Sequence, residues 1–86
     1  MPLKSKNLKV INYINTLYAT IDGNSLWQID KSTFAVLNMC DGKMTVDQIA
    51  VEIAKKIDMK VEDVMPTLLD ILKDMERLKF IEYMST

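Results

Sequence analysis

The sequence predicts an α+β fold, with a small three-stranded antiparallel sheet followed by three helices. Two observations carry this. Up to Ile29 the apolar residues come in short β-rich runs divided by turn residues, and from Thr45 onward they recur at helical spacing. The change of period falls within Ser25 to Ile57. That stretch holds a strand, a short apolar segment, an Asp-Gly break and a capped helix in one continuous unit.

Taken in order, Met1 to Leu8 is polar and basic and reads as a flexible N-terminal segment, which leaves 9–84 as a single domain. Val10 to Ile14 is β-rich and partly alternating, a first strand, and Leu17 to Ile21 is a second. Asp22-Gly23-Asn24 then signals a hairpin turn, since Gly and Asn tolerate positive φ. Leu26 to Ile29 returns as the third strand, with Leu26 and Gln28 on one face and Trp27 and Ile29 on the other. Such a sheet is too small to stand alone and needs the helices as cover.

Ser32 is the N-cap candidate for a short first helix that carries Phe34, Leu37 and Cys40 inward and stops at Asp41-Gly42. Thr45 and Gln48 form a capping-box pair: a Thr hydroxyl accepts from the first turn while the Gln three residues on reaches back to the cap N–H. Behind it Val46, Ile49, Ala50, Ile53, Ala54 and Ile57 lie on one face of a second helix. The third helix is predicted over Val61 to Lys79. Its apolar residues fill about half the circumference at roughly 100° per residue, and one edge of the arc, at Thr67, Ile71 and Leu78, is a candidate groove lining. Pro66 removes a backbone donor, so a kink or a late first turn is expected. Phe80 to Met84 returns as a short strand or packs as a tail.

Composition narrows the function. The chain has 86 residues, a net charge of −1, one cysteine, two glycines and no histidine. Without His there is no Cys–His or Ser–His nucleophile, and a zinc site would rest on Cys40 and carboxylates. Two glycines do not make a phosphate-cradling loop. The charge balance gives no general attraction to nucleic acid or to an anionic membrane, and no apolar run approaches the roughly 20 residues that span a bilayer. A cytoplasmic protein that is not an enzyme, with no cofactor, is the reading these features support.

The words Ser25-Leu26-Trp27-Gln28-Ile29, Cys40-Asp41-Gly42 and Thr45-Val46-Asp47-Gln48-Ile49, with a long helix ending in Leu78-Lys79-Phe80-Ile81, resemble in order and spacing the PqqD family of peptide-recognition domains. The match spans about Leu17 to Ile81. It departs at Thr67, where relatives often carry an acidic residue, at Pro66, where they seldom have proline, and at Lys79-Phe80, where they carry Gly-Leu. The resemblance implies a winged-helix-like, non-catalytic domain that captures a precursor (leader) peptide as an added strand. It presents that peptide to a larger modifying enzyme, often a radical SAM enzyme. Carried over by position, the partner-binding residues are Leu26, Trp27, Gln28 and Ile29 on the strand side and Thr67, Ile71 and Asp74 on the helix side.

Other readings stand beside these. Trp27 is either a peptide anchor or ordinary core. Cys40 reads as a buried apolar residue, Asp41-Gly42 as a helix stop, and the seven methionines as flexible core filler. The acidic side of the third helix is a solvated face or an attractor for a basic peptide. As a whole, the chain could instead be an accessory subunit that docks through the same groove, or its apolar helix edge, onto an unrelated larger enzyme. A winged-helix DNA binder is disfavoured, because the mixed charges of the second helix, Asp47, Glu52, Lys55 and Lys56, and the acidic third helix offer few phosphate contacts.

Overall fold

The computed structural model describes residues 1–83. Along the chain these form β1 (Pro2–Lys4), β2 (Lys9–Tyr13), β3 (Thr16–Thr20), β4 (Trp27–Ile29), α1 (Lys31–Met39), α2 (Val46–Ile57), α3 (Val61–Arg77) and β5 (Ile81–Tyr83). The expected α+β arrangement is present: β2, β3 and β4 make an antiparallel sheet in that order, and three helices follow.

Several boundaries differ from expectation, each for a local reason. The first strand ends at Tyr13, because Ile14 and Asn15 take left-handed φ values of 48° and 60° and turn the chain into β3. Positive φ at both central positions matches the right-handed twist of the flanking strands. The next turn is not a tight hairpin at Asp22-Gly23-Asn24. Ala19 pairs with Trp27, leaving 21–26 as a loop and Leu26 outside the strand. Asp22 organises that loop, its Oδ1 accepting from the N–H of Asn24 at 2.8 Å and of Ser25 at 2.9 Å. Thr20, buried, accepts from the Gly23 N–H at 2.9 Å.

Asp30, not Ser32, caps α1. Its carboxylate accepts from the Thr33 N–H at 2.7 Å, which puts a negative charge at the positive end of the helix. The helix stops at Met39 with Cys40 as C-cap, and Gly42, at φ 78°, lies in the loop beyond. There Asp41 accepts from the N–H groups of Lys43 and Met44. The Thr45–Gln48 capping box on α2 is formed in both directions, at 3.1 and 2.8 Å.

In α3 the helix begins at Val61, not late, and runs on through Pro66 to Arg77. The N–H that Pro66 lacks would have met the carbonyl of Glu62, an exposed residue where water can serve instead. The end is a Schellman motif: the Phe80 N–H donates to the Met75 carbonyl at 2.9 Å and the Lys79 N–H to the Glu76 carbonyl at 3.0 Å. Lys79 takes the left-handed position, φ 66°.

The N-terminal segment, expected to be flexible, contains a paired strand. Pro2 to Lys4 pairs antiparallel with β5, Pro2 opposite Tyr83. On its other side the Lys4 N–H donates to the Cys40 carbonyl and the Gly42 N–H to the Pro2 carbonyl, both at 2.9 Å. Pro2 is buried. The chain's return after α3 is therefore the strand β5, as far as Tyr83; Met84 lies outside the described residues. The core joins Ala19 and Ile29 of the sheet to Val36, Leu37, Ile49, Ala50, Leu68, Leu72, Met75 and Phe80. Leu69, an apolar residue of α3, is exposed, so the buried stripe is narrower than half the circumference.

Candidate functional site

Of the strands of the sheet, β4 pairs with β3 alone, so its other edge is unpaired among the described residues. Strand alternation puts Trp27 and Ile29 on the same face as Ala19 and Leu17, their partners in register. Ile29 and Ala19 are core, and Trp27 lies at the margin of that face, 49% exposed. It is neither sealed core nor free surface. Trp27 lines a crevice of about 230 Å³ with Ile21, Leu78, Lys79 and Phe80, where the loop before β4 meets the end of α3.

The other carried-over residues are distributed differently. Thr67 and Ile71 line an apolar groove of about 320 Å³ that α3 forms with α1 and α2. Gln28 and Ile29 border a third hollow, facing Leu17 and Phe34. Asp74 is exposed and ion-pairs with Arg77 at 3.4 Å, and Leu26, 54% exposed, lines none of these hollows. Thr67, Ile71 and Leu78 share one face of α3, at i, i+4 and i+11. That face links the helical groove to the Trp27 crevice. Ala35 and Val36 of α1, Ile53 and Ile57 of α2, and Met59 also line the groove. They were not among the carried-over residues. The signal lay in Ile57, an apolar-face residue of α2 that the core does not cover.

The family model for Coenzyme PQQ synthesis protein D (PqqD) matches residues 10–81. The chain belongs to the PqqD family. No curated protein sequence matches it significantly. In structure it is similar to TbiB1, solved in complex with the TbiA(beta) leader peptide, with a TM-score of 0.76 at 10% identity over 98% of this chain and 99% of that one. The two share a fold.

In this PqqD-family chain the backbone at Lys79 is left-handed, the conformation glycine supplies without strain. Phe80 is fully buried beneath the Schellman turn. Cys40 is also fully buried, and its Sγ–H donates to the Val36 carbonyl at 3.2 Å. Burial, with the charge of Asp41 adding to it, pushes the thiol up to about 11. A thiol held protonated in an apolar site is a packing residue. Among the described residues no group of three or more His, Cys, Asp or Glu could hold a metal ion, and no helix is long and apolar enough to cross a membrane.

Proposed function

We propose that this domain is a non-catalytic recognition module that captures a precursor (leader) peptide as an added strand on β4 and presents it to a larger modifying enzyme. The observation that carries this reading is the unpaired edge of β4, with the half-exposed Trp27 at its start and the Thr67–Ile71–Leu78 face of α3 continuing from it. An unpaired edge offers N–H and C=O groups to any extended backbone, and hollows alongside it select side chains. Family membership and the leader peptide bound to TbiB1 support the same reading. The proposed partner-binding set is Leu26 to Ile29 with Thr67, Ile71 and Asp74, together with Leu78, which lines the crevice beside Trp27.

Trp27 is the only tryptophan, so its emission reports on its own surroundings. Affinity capture from native lysate, read by mass spectrometry, identifies the peptide, and fluorescence titration with a synthetic copy follows. Binding shifts the emission to the blue as the indole loses water, and Ile71→Asp weakens it by about tenfold or more while the domain stays folded. Capture of a large enzyme unrelated to peptide modification, with no peptide, sinks this reading. A second reading, an accessory subunit docked through the same surface on an unrelated enzyme, is favoured by the exposed Ile57 in the helical groove, and that outcome would support it.

A further inference from the structure

The groove among the helices is more than the end of a strand-binding edge. Its walls are apolar, from Ala35, Val36, Ile53, Ile57, Met59 and Ile71. Its charged rim residues are Lys56 on α2 and Asp63 on α3, which form no ion pair with each other. At about 100° per residue, Asp63, Asp70 and Asp74 fall within about 40° of one another on α3. They stand beside the Thr67–Ile71–Leu78 face, and Lys73 lies on the far side of that row, about 60° round from Asp70. One side of the path from the Trp27 crevice to the groove is thus apolar and the other carries carboxylates, of which Asp74 already has Arg77.

We propose that this groove is an anchor pocket for an aliphatic side chain of the captured peptide, and that the peptide is basic where it passes α3. The proposal rests on the peptide-capture reading above. Its occupant follows from continuity and charge: the α3 face that meets Trp27 at Leu78 meets the groove at Ile71 and Thr67, beside the acidic row. From Leu78 to Ile71 and Thr67 is about 10 to 16 Å along the axis, which an extended chain covers in about three to five residues. The peptide's anchor therefore sits that far from the residue seated on Trp27, with Lys or Arg between.

The test uses the full chain and a display library of random linear peptides. Selected peptides are expected to share an aliphatic residue with Lys or Arg within about five positions. The tightest is then titrated against Ala35→Trp, which fills the groove from an exposed position and leaves β4 untouched, and against a variant combining Asp70→Asn with Asp74→Asn. Affinity falls by about tenfold in the first and about threefold in the second. The second loss vanishes for a peptide copy with Gln in place of Lys and Arg. Should Ala35→Trp unfold, Ile57→Ser opens the same wall. Peptides that bind both groove variants at full strength yet lose affinity to Trp27→Ala overturn this inference and leave peptide capture intact. Selected peptides without basic residues overturn its charge requirement. If no peptide is selected at all, the capture reading falls, and this one with it.

Discussion

At the scale of single residues, the chain tolerates strain in the β2–β3 turn, where one side chain is ill suited to its backbone. Ile14 is a β-branched residue at φ 48° in the β2–β3 turn, and it is 77% exposed, so nothing is gained by its bulk. A left-handed conformation costs such a residue about 1–2 kcal/mol. Asn adopts it readily, so Ile14→Asn is expected to stabilise by about 1 kcal/mol, read as a higher urea midpoint with an unchanged slope. The alternation of Val10 to Ile14 made Ile14 look like the last residue of a strand, whereas Asn15 beside it was the true sign of the turn. Trp27 was undecided from sequence because alternation reports the face a side chain takes and not how far the neighbouring helix covers it. The missing information was the position of Leu78, more than fifty residues away in the chain.

At the scale of elements, α2 was legible to the residue because its capping box, its apolar face and its end are all local. The start of α1 was not, since Asp30 and Ser32 are both good caps and the choice depends on where β4 releases the chain. The end of α3 combines both kinds of information. A helix stop near Lys79 could be read, but the buried Phe80 that locks the Schellman turn needs the sheet and β5 around it. Lys79→Gly is expected to add about 1 kcal/mol, because Lys79 is exposed and its backbone already takes glycine's conformation. Thermal unfolding checks this, and Lys79→Ala, which keeps a Cβ, is expected to add little. Of the candidate site, the strand and α3 residues came through resemblance, and two of them, Leu26 and Asp74, line none of the hollows. The α1 and α2 walls of the groove were not legible, because no periodicity says which exposed apolar residues of separate helices converge.

At the scale of the whole molecule, loop carboxylates hold the corners of the fold. Asp22 is held below its usual 3.8 by the N–H groups of Ser25 and Asn24, Asp30 by Thr33, and Asp41 by Lys43 and Met44. Each accepts these bonds best when ionised, so its contribution is complete well above 3.8 and is lost as pH falls through the lower folded-state value. The urea midpoint is therefore expected to hold from neutral pH to about pH 5 and to drop steadily below about pH 4. Asp22→Asn, which retains an acceptor oxygen without the charge, is expected to flatten that drop. The pairing of β1 with β5 has a mechanical consequence. Because Pro2 lies opposite Tyr83 and Lys4 opposite Ile81, both strands point their outer ends the same way. A pulling force applied across residues 2 and 83 therefore loads one rung at a time, like a zipper, and never the whole ladder in shear. The two ends should peel apart under a small load, exposing Cys40 and the floor beneath it before the helices yield.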